Sequence, residues 1–439
     1  MHTDLTKGSI KEHLAKLAIP AVVGYFFHTM FNVTDTYFAG LISTEALAAL
    51  SLSASVFFMI LAIAIGMSEA VTSLVGNALG DKNKIQAQHI ALNSIAFALI
   101  LSIFLSIFGF LSVPYLVDAL GDPSYSTETL EYINIILFAS LFFIGSFFFN
   151  ALLNATGDTV SFRNILIFTA FLNILLNYVF VNYLNMQVKG IAIATVLSEF
   201  IAASYLFYKL QKTQLWTGIK MFDFDLDVIK ELMRQGFPPS MNMFMMAFGM
   251  YIITYFVAPF GKEAVAGFGI GMRIEQIVLM PVVGLGIATL AIVSQNNGAK
   301  TYERIDTTTK LAIKIGWIIS AVGVVSFLFF APQLSSLLSS DTLVIEQSAF
   351  YLRISSFAFF GFVMIFIYIS MLQGIAKPSV IFPVSVYRQV IAPIVLFSLL
   401  SFLEFGIVSI WLGLVFIVSS AAVFLWWYSK KRLEELCSF

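Results

Sequence analysis

Ile10-Lys11-Glu12 followed by Pro20, and Ile229-Lys230-Glu231 followed by Pro239, are one pattern written twice in a chain of 439 residues. The register continues outward from both copies. Glu45-Ala46 returns as Glu263-Ala264, and Ala49, Ser51 and Ser53 return as Gly267, Gly269 and Gly271. Gly66 returns as Gly284, and Gly80-Asp81-Lys82 as Gly298-Ala299-Lys300. Self-similarity at a fixed period marks a repeated architecture. Small residues standing on small residues in both copies point to close helix packing.

The repeat is built from membrane-compatible material. Hydrophobic residues make up 59% of the chain and charged residues 11%, against roughly 25% charged in soluble domains. A helix crosses a bilayer with about 20 apolar residues while satisfying its own backbone. Hydropathy and turn residues place twelve spans, at roughly 15–39, 46–76, 88–115, 129–153, 160–183, 188–209, 236–259, 264–294, 311–331, 344–373, 379–402 and 406–428. Six spans per copy is an even number, so both copies enter the membrane in the same direction. The expected fold is all-α: twelve transmembrane helices in two parallel six-helix lobes around a central cavity, an arrangement used for alternating access. The expected divisions are an N-terminal lobe over 1–210, a linker over 211–230, a C-terminal lobe over 231–429 and a tail over 430–439. The linker carries Lys212, Lys220, Asp223, Asp225 and Asp227 around Trp216 and Phe222.

Charge placement gives the orientation. With the N-terminus inside, the cytoplasmic basic residues run from Lys7, Lys11 and Lys16 through Lys82, Lys84, Arg163, Lys209, Lys300, Arg304 and Lys377 to Arg388, Lys430, Lys431 and Arg432. The opposite side keeps Lys189 and Lys262, while Arg273, Lys314 and Arg353 fall within spans. Both termini are therefore expected in the cytoplasm of a cell whose inner, or plasma, membrane holds the protein. The polar opening Met1 to Lys7 shows no signal-peptide pattern. Cys437 is the lone cysteine, so neither a disulfide framework nor a cysteine metal cluster is expected. A net charge of −1 gives no sign of a nucleic-acid partner. The chain is expected to be monomeric and surrounded by lipid, without cofactor or structural metal.

One buried acid stands out. Asp35 lies inside the first span, where an ionised carboxylate is costly and functional by default. The alternative is an acid held permanently neutral to fix helix packing. Asn32 precedes Asp35 by three residues, and Asn173 and Asn177 stand one turn apart on the fifth span, so the three could form a polar cluster or simply join helices. Pro20 can kink the first span, as a switch or as a static bend. Tyr37, Ser51 and Ser55 are lesser candidates for cavity lining. Glu69 and Glu199 are secondary acids, read as nearer the water-accessible ends, and Glu275 shares the eighth span with Arg273. Met241, Met243, Met245, Met246 and Met250 on the seventh span read first as lipid-facing or core packing, with a flexible wall for varied hydrophobic ligands as the alternative.

The sequence resembles the multidrug and toxic compound extrusion family over essentially its whole length. The likeness rests on Asn32-Val33-Thr34-Asp35-Thr36, Ala39-Gly40 and Glu45-Ala46-Leu47-Ala48-Ala49. It continues in Val75-Gly76-Asn77-Ala78-Leu79-Gly80, its echo Ser294-Gln295-Asn296-Asn297-Gly298-Ala299-Lys300, and Leu372-Gln373-Gly374 before Lys377-Pro378. The resemblance implies an exporter of organic, often cationic compounds driven by inward protons or sodium. The seventh and tenth spans hold no acid over 239–259 and 354–372, unlike sodium-coupled members of one branch. The pattern is similar to the DNA-damage-inducible-F-like branch, which keeps its acid in the first span. That branch implies a link between Asp35 and Asn173, Asn177 and Thr195; Asn177 stands where some relatives carry an acid. The coupling ion implied is H+, with Na+ as the alternative. A lipid-linked precursor flippase is a further alternative, but the in-span basic residues are few and scattered. The chain has no His-Glu-x-x-His, Gly-x-Ser-x-Gly or P-loop pattern, and His2, His13, His28 and His89 form no ligand set, so an enzyme is not expected.

Overall fold

The computed structural model describes residues 3–120, 122–216 and 223–437, so Lys220 and Phe222 of the linker lie outside the described residues. It is all-helical. The principal helices are α1 Ile10–Ile42, α2 Thr44–Gly80, α3 Lys84–Leu120, α4 Ser126–Phe138, α5 Ser140–Ala155, α6 Val160–Asn177, α7 Gln187–Gln211 and α8 Leu226–Val257. They continue as α9 Lys262–Gly298, α10 Tyr302–Ser336, α11 Thr342–Ser355, α12 Phe359–Gly374, α13 Ile381–Val386, α14 Ala392–Phe402 and α15 Ile407–Cys437. Eleven helical stretches among the described residues are long and apolar enough to cross a membrane. The pair α4 and α5, bent by 48° at Ala139, supplies a twelfth span if counted as one.

The repeat reaches down to single backbone angles. Lys82 and Lys300, matched in sequence, both take a left-handed φ of 58°. The helix ends before them close with the same bonds. Asp81 N donates to Asn77 O and Ala299 N to Gln295 O; Asn83 N donates to Ala78 O and Thr301 N to Asn296 O. These bonds satisfy carbonyls that a helix terminus otherwise leaves open. Gly157 and Ala376, both at positive φ, close α5 and α12 in the same manner.

Contacts divide the chain into two compact units. Unit 1 holds Pro20–Ser240 with Thr3 and Asp4; unit 2 holds Leu5–Ile19 and Met241 onward. Two helices therefore belong to both units, and each changes allegiance at or just past one of the matched prolines, Pro20 in α1 and Pro239 in α8. Proline removes a backbone donor from the helix interior, which makes this the natural place for one helix to serve two packing environments. The start of α1 packs Leu14, Leu17 and Ala18 into the unit 2 core beside Val282 and Leu285.

Within unit 1, α2 is pressed so close to the start of α8 that a Cβ on Gly66 would stand 2.1 Å from Ser240 N. The Ser240 hydroxyl donates to Ile63 O at 3.0 Å across the same crossing. Gly66→Ala is expected to lower stability by about 1–3 kcal/mol through overpacking. Thermal unfolding of the purified protein checks this, with Gly40→Ala, whose Cβ meets nothing within 4 Å, expected to leave the midpoint unchanged or higher.

Candidate functional site

Asp35 is buried in unit 1, on the face of α1 turned toward α6 and α7. Three neutral donors hold it. Thr195 Oγ1 donates to Oδ2 at 2.6 Å, and Asn177 Nδ2 and Asn173 Nδ2 donate to Oδ1 at 2.8 and 3.3 Å. The donors are linked to one another: Asn177 Nδ2 also reaches Asn173 Oδ1 at 3.1 Å, and Asn173 Nδ2 reaches Thr195 Oγ1 at 3.3 Å. Asn173 and Asn177 share one face of α6 because four residues make about one turn. Directly after Asn177, α6 loosens into a π-helical stretch over Tyr178–Tyr183, a form frequent at functional sites. Tyr132 of α4 stands within electrostatic reach of Asp35.

No basic side chain pairs with Asp35 among the described residues. Its charge is answered by dipoles alone, each worth roughly 1.5–3 kcal/mol to a charged partner. An anion can persist under such donors, while a neutral acid leaves no orphaned cation behind. Asn177 Oδ1 is buried and has no hydrogen-bond partner among the described residues. It is an acceptor held in reserve beside the carboxyl group.

The remaining candidates divide clearly. Asn32 does not join the cluster: its side chain is exposed and only its carbonyl is engaged, accepting from Thr36 Oγ1 at 2.6 Å. Three residues leave it about 60° round the helix from Asp35, enough to turn it off the face that meets α6 and α7. Tyr37, Ser51 and Ser55 are exposed, the two serines bonding back to the carbonyls of Leu47 and Ser51. Glu69 is half-buried near Tyr25. Glu199 departs from its reading as a water-accessible acid. It is buried one turn beyond Thr195 on α7 and accepts from Ser146 of α5 at 3.1 Å, because α5 packs over that end of the helix.

In unit 2, Glu275 is buried and accepts from Tyr351 Oη at 2.9 Å and from the Ser355 hydroxyl. Arg273 turns outward. Arg388, read from sequence as a cytoplasmic residue, lies instead within the span Pro378–Phe402 and is buried. Counting basic residues by loop misplaced it; its position among apolar neighbours was the signal for an in-span cation.

The MatE family model matches the chain twice, over residues 20–179 and 238–398. The chain belongs to the MatE family, the multidrug and toxic compound extrusion transporters. Among MatE relatives, the probable multidrug resistance protein NorM of Thermotoga maritima is 28% identical, over 92% of this chain and 89% of its own length. An FAD transporter of Shewanella oneidensis is 26% identical, over 91% and 90%. The MOP superfamily transporter from Pyrococcus furiosus shares the fold at a TM-score of 0.93 with 23% identity, covering 99% of this chain and 98% of that one. The two family matches coincide with the two copies of the repeat. The fold is therefore the twelve-helix MatE architecture, and the homologues include multidrug efflux transporters.

The cluster makes a separable stability prediction. Thr195→Val and Asn177→Leu each remove a donor and are expected to cost about 1–3 kcal/mol. In an Asp35→Asn background the two costs should shrink by at least half. A double-mutant cycle in thermal or denaturant unfolding reads that coupling.

Proposed function

We propose that this MatE protein is a secondary-active multidrug efflux antiporter. It exports hydrophobic, often cationic organic compounds in exchange for inward protons, and the proton is carried on Asp35. The observation that carries the reading is a buried carboxyl group met only by neutral donors, with a spare buried acceptor alongside. In the anionic state, Thr195, Asn177 and Asn173 donate to it as described. In the acid state the carboxyl itself becomes a donor, and rotation of the Asn177 amide brings Oδ1 round to accept. Both protonation states are thus satisfied, with different side-chain arrangements at the junction of α6 and its π-helical stretch.

A proton and a drug exchange when each favours a different arrangement of unit 1, because a ligand shifts an equilibrium only through its differential affinity. Pro20 is the hinge in this scheme, since α1 carries Asp35 and passes from one packing unit to the other at that residue. Inward proton movement supplies about 2.3 kcal/mol per 100 mV and about 1.4 kcal/mol per pH unit. Together these sustain roughly a thousandfold gradient of a neutral compound.

Sodium is the second reading, favoured by one feature. Asn177 Oδ1, unpartnered and buried, adds to the oxygens of Asp35, Thr195 and Asn173 an all-oxygen set of the kind hard cations prefer. In this reading the protein sits in the inner membrane, and the asymmetry of Lys and Arg supports placing both termini in the cytoplasm.

In proteoliposomes, an imposed pH gradient should drive uptake of a fluorescent organic cation. Asp35→Asn, nearly isosteric, should reduce that uptake at least tenfold with unfolding temperature little changed. Pro20→Ala, which restores the missing backbone donor, should slow uptake several-fold. Uptake that follows a sodium gradient and ignores pH would replace the proton with sodium, and lipid scrambling without drug movement would replace the reading with a flippase.

A further inference from the structure

Unit 2 contains a cavity of about 130 Å3 that the proton-exchange scheme does not use. Its walls are apolar, with Met246, Met250, Phe268 and Phe397 among them, and two charged side chains, Glu275 and Arg388, reach it from different helices. The two do not pair. Glu275 is drawn to α11 by the hydroxyls of Tyr351 and Ser355. Arg388 is 7% exposed, and no hydrogen bond or ion pair reaches its guanidinium among the described residues; its one recorded partner is the face of Phe362, 5.8 Å from the ring centre. It sits on the π-helical turn Tyr387–Ile391, where the helix departs from regular bonding.

A buried guanidinium without an acceptor is costly, and removal of one partner from a buried ion pair is among the most damaging changes a protein can suffer. Cation–π contact offsets only a small part. What the cavity lacks is an anionic acceptor with an apolar body. A carboxylate matches the guanidinium fork with two parallel bonds. The available space is close to that of an engineered cavity of about 150 Å3 that takes up benzene.

We propose that unit 2 binds a small apolar monocarboxylate, its carboxylate on Arg388 and its body among the methionine and phenylalanine side chains. Glu275 is the internal competitor. Turned toward α11 it leaves Arg388 open, and its carboxyl oxygens face the ligand's carboxylate as acceptors against an acceptor. The site is independent of the Asp35 cluster, which lies in the other unit, so the two readings fail separately.

Benzoate is the probe and benzamide, its uncharged counterpart, the control, measured by calorimetry or equilibrium dialysis on the purified full chain. Benzoate is expected to bind saturably, one per chain, at least tenfold more tightly than benzamide. Arg388→Gln should weaken benzoate at least tenfold, Glu275→Gln should strengthen it several-fold, and Asp35→Asn should leave it unchanged. A chain-length series should show octanoate and longer acids binding more weakly than benzoate, which separates a small acid from a membrane fatty acid. No saturable binding, equal binding of benzamide, or a Glu275→Gln protein that binds benzoate no better would each overturn the proposal. The last two comparisons stand even if Arg388→Gln does not fold.

Discussion

An ionisable carboxyl group inside a membrane span must be either neutral or surrounded by groups that replace its lost water, and Asp35 is surrounded by donors that do this without a countercharge. Much else in unit 1 follows from that constraint. Two helices have to bring amides and a hydroxyl to one point, which sets the contact of α6 and α7 against α1. A lysine or arginine in their place would fix the anion. Asparagine and threonine leave the balance between acid and anion open, as a proton carrier requires.

The two copies of the repeat share their scaffold and differ in their polar interiors. The turn at Lys82 and its match at Lys300 have kept the same φ and the same closing bonds, because the helix ends they terminate are needed in both copies. The polar interior has not been kept. Unit 1 carries buried acids on α1 and α7, Asp35 and Glu199, whereas the buried acid of unit 2, Glu275, is on α9 and shares a cavity with a base, Arg388. Backbone geometry is conserved by the need to satisfy helix ends in an apolar medium. Side chains facing the interior of each unit are free to diverge once those ends are secured.

Hydropathy made the spans legible, since each is a long apolar run bounded by glycine, proline or charge, and the repeat made the halves legible. Asp35 was visible as an acid where water is scarce. Its partners were only half visible: the spacing of Asn173 and Asn177 put them on one face of a helix, but the family resemblance, not that spacing, tied them and Thr195 to Asp35. Asn32 misled because closeness in sequence is not closeness across a helix interface. Glu199 and Arg388 were misplaced because a linear count of charges cannot see which neighbouring helix covers a residue. Tyr351 and Ser355, which hold Glu275, were hidden among many similar hydroxyls whose partners only tertiary packing selects.

The central claim is that Asp35 loses a proton when drug binds. It is tested most directly by recording proton release, with a pH indicator in weakly buffered detergent solution, as ethidium is added to the purified protein. The account predicts about one proton released per ethidium bound near neutral pH, and none from Asp35→Asn. Equal release from both proteins, or ethidium binding to the native protein with no release at any pH between about 5 and 8, would contradict it.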